Sequence, residues 1–105
     1  MKFEGVYPIL PTPFHEDESL DLDSMRQLVS FMGRLGVDGI TVLGVLGEAN
    51  RLTDHEREAV VRSAVAAASG LPVIVGASAS GTRAAAELAI MAHALGASAV
   101  MVTPH

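Results

Sequence analysis

Residues 39 to 49 read Gly-Ile-Thr-Val-Leu-Gly-Val-Leu-Gly-Glu-Ala, so Gly44 and Gly47 bracket Val45 and Leu46 just after an apolar run. Successive backbone N–H groups in a Gly44-to-Gly47 turn can form a small concave anion site, and glycines let a ligand approach the main chain closely. The same spacing also suits a tight strand-to-helix turn that binds nothing. Glu48 follows at once, and a lone carboxylate beside a turn more simply accepts hydrogen bonds from loop amides than acts as a general base. Thr12 could line a binding site, while its setting in Pro11-Thr12-Pro13 more simply fixes a bend. Ser78, Ser80 and Thr82 offer hydroxyls for an anion-binding helix start, though capping is the plainer role. His15, His55 and His93 share no ligand spacing, so no metal is implied. The acidic run Glu16-Asp17-Glu18 reads as a solvated loop.

Equally informative is what the chain lacks. It has no cysteine, which removes disulfides, thiolate metal sites and cysteine nucleophiles together. Its single lysine is Lys2 and its single tyrosine is Tyr7. The formal charge is −5 and the arginines are scattered among acids, which argues against nucleic acid as a partner. No apolar run reaches the roughly 18 residues of a membrane span, and residues 1 to 7 hold no signal-peptide core. The expectation is a soluble, cytoplasmic protein with no membrane partner. Half of its 105 residues are apolar, enough for one close-packed core and too few for two domains.

These residues need a scaffold, and the chain supplies short apolar runs alternating with segments of helical period. Candidate strands are Gly5–Leu10, Gly39–Leu43, Pro72–Val75 and Ala99–Val102, each apolar enough to be covered on both faces in a parallel sheet. A first helix spans about Ser24 to Leu35, with Asp23 as N-cap, Met25, Leu28, Val29, Met32 and Leu35 on one face, and Gly36 as stop. A second opens on Thr53-Asp54-His55-Glu56, a capping box, and ends near Ala68 before Gly70. A third begins after Thr82 and ends before Gly96, turning Leu88, Met91, Ala92 and Leu95 inward. The resulting βαβαβαβ order fits either an open doubly wound sheet or a closed (β/α)₈ barrel, and in both the functional loops follow the strands' carboxyl ends. An open sheet of this kind has about five strands and a barrel needs roughly 250 residues. A chain that stops at Thr103-Pro104-His105, directly after a strand, therefore reads as truncated.

The run from Gly39 to Ala49, with Leu52-Thr53 and Glu56-Arg57 behind it, resembles the dihydrodipicolinate synthase and N-acetylneuraminate lyase family. Three further landmarks agree in order and spacing: Pro11-Thr12-Pro13-Phe14, Pro72-Val73-Ile74-Val75-Gly76 running to Thr82, and Leu95-Gly96-Ala97 before Val102-Thr103-Pro104. The resemblance implies a parallel (β/α)₈ TIM barrel, usually in a homotetramer, with residues 1–105 forming the N-terminal three and a half βα units of a single domain. It further implies a lyase or aldolase that holds pyruvate or a related 2-oxo acid as a lysine Schiff base, with no separate cofactor. Gly44, Val45, Leu46 and Gly47 would then bind the substrate carboxylate through backbone amides.

Three features depart from the family pattern. Its paired hydroxyl residues are replaced by Val45 and Leu46, so a proton relay through them is lost. His105 stands where the family often has a tyrosine, and with Thr12 and Thr103 it is a possible site-lining residue. The family's Schiff-base lysine belongs to strand six and its principal tyrosine to strand five, both past residue 105. Lys2 precedes the first strand and would lie at the wrong end of a barrel. The chain alone is therefore expected to be inactive. Two other readings stay open: a dehydratase or hydratase-aldolase of the same family acting on sugar-derived or aromatic 2-oxo acids, and a small non-catalytic α/β binding module.

Overall fold

The computed structural model describes residues 5–44, 52–77 and 82–101. Among them the elements follow in the order α1 (Leu22–Leu35), β1 (Ile40–Val42), α2 (Asp54–Ala68), β2 (Val73–Gly76), α3 (Thr82–Ala94) and β3 (Ala99–Met101).

Residues 5–10, expected as a full strand, form an extended edge segment with a single parallel bridge, Ile9 to Thr41. Its bonds to the neighbouring chain are Thr41 N–H to Pro8 O at 2.8 Å, Leu10 N–H to Thr41 O at 2.9 Å and Asp38 N–H to Val6 O at 3.0 Å. Even-numbered residues of the segment carry the bonds to its neighbour, so Pro8, which has no N–H, leaves one rung of the ladder unmade. The sheet itself is parallel and ordered β1-β2-β3. Ile40, Thr41 and Val42 pair with Val73, Ile74 and Val75, and Ile74, Val75 and Gly76 pair with Ala99, Val100 and Met101.

With the edge segment beside β1, the described strands stand side by side in chain order. Right-handed crossovers that step one way place every helix on the same face, and α1 indeed packs on α2 and α2 on α3. Ile40 and Val42 from β1 and Val73 and Val75 from β2 share one core with Met25, Val29, Val60, Val61, Ala64 and Ala92 from the helices. Alternation then turns Ile9, Thr41, Ile74 and Ala99, joined in one row by the register, to the opposite face. A doubly wound sheet reverses its strand order to bring helices to that face. No reversal occurs among the described strands.

The helices differ from expectation mainly at their ends. α1 starts a residue after Asp21, not Asp23: the Asp21 carboxylate accepts from Ser24 N–H at 3.0 Å and Ser24 Oγ at 2.7 Å. Asp23 sits instead in the first turn, where it pairs with Arg26 and its charge suits the exposed N–H groups. Gly36 closes α1 in the left-handed region at φ 82°, its N–H bonded to Gly33 O at 3.2 Å. Met25 and Val29 are buried and Leu28 and Met32 partly so, but Leu35, expected on the inner face, is 60% exposed in the last turn. The α2 capping box forms as read, with Glu56 N–H to Thr53 Oγ1 at 3.1 Å and Thr53 N–H to Glu56 Oε1 at 2.9 Å. α3 turns Leu88 and Ala92 into the core, with Met91 and Leu95 partly buried against it.

Candidate functional site

The carboxyl ends of the edge segment, β1 and β2 lie together, and the candidate site is built there. β1 ends because Leu43 turns left-handed, at φ 59°, with its side chain 3% exposed in the core. A left-handed conformation is uncommon for a leucine and costs roughly 1–2 kcal/mol. Burial of this side chain, worth roughly 1.5–3 kcal/mol, can offset it. The turn is thus set by packing.

Gly44 comes next, buried, and its φ lies outside the left-handed region. Gly44 serves close approach, since a Cβ there would stand 2.9 Å from Ile9 Cγ2. Gly76, at the end of β2, plays a similar part against backbone: a Cβ would overlap the Leu43 carbonyl oxygen and stand 2.8 Å from its carbon and 3.2 Å from Gly44 N. Ala77 follows, fully buried, and donates its N–H to Met101 O at 2.8 Å. Sequence reasoning placed Leu43 at the end of a strand and Gly76 in a landmark after the next one, without giving either a packing role. A glycine closing a buried strand is a signal of close backbone approach, whereas nothing local marks Leu43.

Thr12 leaves the edge segment three residues past Ile9, as Gly44 leaves β1 three residues past Ile9's partner Thr41. It is 7% exposed, and its Oγ1 has no hydrogen-bond partner among the described residues. An unpaired buried hydroxyl costs about 1–3 kcal/mol. The chain then folds into a tight loop closed by a Phe14–Leu20 bridge and by Asp21 N–H to Pro13 O at 3.0 Å. Within it Asp17 accepts from Ser19 Oγ at 2.6 Å and Ser19 N–H at 3.0 Å. Those bonds hold its carboxyl below the usual aspartate range. The bonds from Ser24 do the same for Asp21. Glu16, Asp17 and Glu18 are exposed, as a solvated run should be.

Of the residues singled out in the sequence, Thr12 and Gly44 thus lie at the same end of the sheet. Val45, Leu46, Gly47, Glu48, Ser78, Ser80, Thr103 and His105 lie outside the described residues. His15, His55 and His93 are exposed on separate elements. A cleft of about 380 Å³ lies between α2 and α3, lined by Asp54, Arg57, Glu58, Glu87, Leu88 and Met91 among others. None of Thr12, Leu43, Gly44 or Gly76 borders it.

Comparison with known proteins agrees with the parallel α/β fold. In a crystal structure of dihydrodipicolinate synthase from Rhodopseudomonas palustris, 95% of this chain superposes on 33% of that chain, with a TM-score of 0.92 at 43% identity. A 4-hydroxy-tetrahydrodipicolinate synthase of Roseobacter denitrificans is 42% identical over 105 residues, covering 98% of this chain and 36% of the relative. An N-acetylneuraminate lyase of Rhizobium meliloti is 49% identical over 70 residues, covering 67% of this chain and 23% of the relative. The chain spans about a third of the length of the curated synthases it matches. The model of the dihydrodipicolinate synthetase family matches residues 2–105, and the chain belongs to that family.

Proposed function

We propose that residues 1–105 are the opening three and a half βα units of a (β/α)₈ barrel enzyme that forms a lysine Schiff base with pyruvate or a related 2-oxo acid. The observation that carries this reading is the left-handed Leu43 turn delivering Gly44 to the carboxyl end of a singly wound sheet, in a chain of this family. Helices on one face only leave Ile9 43% exposed on the other, as suits strands that continue round a barrel.

The division of labour follows from the chemistry. An uncharged lysine amine attacks the keto carbon, water leaves, and the protonated imine draws electrons from the bond that forms or breaks beside it. That lysine lies on a later strand, so this chain alone is inactive. What these residues contribute is the hold on the substrate. Backbone N–H groups from Gly44 through Val45 and Leu46 to Gly47 bind the carboxylate and fix the keto carbon in reach of the amine. Val45 and Leu46 carry no hydroxyl, so the proton relay is drawn from later strands, with His105 and Thr103 lining the site. The full-length protein works in the cytoplasm as a homo-oligomer, on a small molecule.

The test is borohydride reduction in the presence of pyruvate, followed by mass spectrometry. The full-length protein should gain the mass of reduced pyruvate on one lysine, and residues 1–105 alone should gain none. A full-length protein left unmodified would overturn the assignment. The apolar Val45-Leu46 pair favours a second reading, a dehydratase or hydratase-aldolase on less polar 2-oxo acids. Turnover of a panel of 2-oxo acids separates the two.

A further inference from the structure

We infer that Leu28, Phe31 and Leu35 of α1 form the seat of the last helix of the barrel, a segment of the full-length protein beyond residue 105; the inference rests on the barrel reading proposed above. Phe31 is 47% and Leu35 60% exposed, while Leu28 is partly buried against the core. Single exposed apolar side chains are ordinary on a protein surface. These three follow one another at helical spacing and make one stripe along α1. Arg34 does not cover it: its guanidinium carbon stands 6.0 Å from the Phe31 ring centre, at the outer limit of a cation–π contact.

The stripe lies on the flank turned away from α2. Across the cleft between α2 and α3, Glu87 and Met91 of α3 face the preceding helix, and each stands one position before a buried residue, Leu88 or Ala92. The buried pair of α1 is Met25 and Val29, and one position before each stand Ser24 and Leu28. Phe31 and Leu35 continue that line by a turn each. α1 thus presents an apolar flank where a preceding helix would pack, yet among the described residues it is the first helix and packs on α2. A closed ring supplies the missing neighbour, because its last and first helices stand side by side. The chain spans about a third of the length of the relatives it matches, which leaves room for the remaining units. An open sheet would leave this flank bare or to a second copy of the protein.

The experiment labels cysteines introduced into the full-length protein with a maleimide and reads each site by peptide mass spectrometry. Ser30 is exposed on α1 with α2 in place, so Ser30→Cys gives the reference rate. Phe31→Cys should label at least about tenfold more slowly, since its thiol is reached only when the closing helix opens. The slowing should survive dilution by about a hundredfold. Equal rates would overturn the inference. So would a slowing lost on dilution, because the occupant would then be a second copy. Where Phe31→Cys does not fold, Leu35→Cys, at the end of the same stripe, takes its place with the same outcomes. Borohydride trapping by the wild type is measured alongside. Protein that traps pyruvate but labels at equal rates keeps the Schiff-base reading and loses the closing helix; protein that traps nothing but labels slowly keeps the helix and loses the Schiff base.

Discussion

Adding a single methyl group to Gly76 should cost more than the same change at Gly44, even though both glycines are buried and neither adopts a left-handed φ. At Gly76 the new Cβ would overlap the Leu43 carbonyl oxygen and stand 2.8 Å from its carbon and 3.2 Å from Gly44 N. Carbon atoms sit comfortably at about 3.5–4.0 Å, so one backbone must retreat by roughly 0.7 Å or more. Neither can do so freely. Leu43 is pinned by a side chain 3% exposed in the core, and β2 is laddered to β1 and β3 on its two sides. Overpacking of this kind costs about 1–3 kcal/mol, while alanine recovers about 0.4–1 kcal/mol by restricting the unfolded chain. The net loss for Gly76→Ala is about 1–2 kcal/mol, a fall of a few degrees in melting midpoint. At Gly44 the one contact is a side-chain methyl, Ile9 Cγ2 at 2.9 Å, which yields more readily than backbone. Gly44→Ala should therefore cost less than about 1 kcal/mol. Urea unfolding of the full-length protein and both variants gives the comparison. A Gly76→Ala protein as stable as Gly44→Ala, or more so, would refute the claim that Gly76 is there to admit the Leu43 backbone.

Two further outcomes follow from the helix starts. Thr53→Ala removes one half of the α2 capping box and frees the Glu56 N–H, so urea unfolding should show a loss of about 1 kcal/mol, with Thr53→Ser near wild type. Asp21 is held below its ordinary value by the Ser24 hydroxyl and amide, so it contributes stability that is complete above the unfolded-state value and is lost as pH falls through the folded one. Asp21→Asn keeps a capping oxygen without the titration, and the variant's stability should therefore fall less steeply than wild type below about pH 4. An unchanged slope in acid unfolding would remove Asp21 from that account.

Much of this was open to a reader of the sequence, in proportion to how local the deciding contact is. The capping box at Thr53 and Glu56 involves residues three apart, and the structure forms it as spelled. The start of α1 was harder, because Asp21 and Asp23 both carry a polar residue three positions on, Ser24 and Arg26. Ser24 settles it by donating both its N–H and its hydroxyl to Asp21. The edge segment reads as a strand by composition, yet Pro8 leaves a rung of its ladder unmade. Strand order has no local signature at all, since apolar periodicity reports that a segment is buried and not which segment lies beside it.

The site is less legible for the same reason carried further. Its shape at the carboxyl end comes from contacts between residues far apart in the chain: Ile9 against Gly44, Leu43 against Gly76, Ala77 bonded to Met101. Glycine has two separable uses, freedom of φ and absence of a side chain, and a sequence shows the residue without showing which use is in force. At Gly44 the backbone freedom goes unused, because Leu43 takes the left-handed turn while its side chain fills the core. The absent Cβ is what matters, letting Ile9 pass at close range. In the proposed function the first residue of the carboxylate cradle, Gly44, follows a corner fixed by the core through Leu43 and by β2 through Gly76. In the function proposed above the anchoring is by backbone, so Val45 and Leu46 would alter the proton chemistry of the site without removing its hold on an anion.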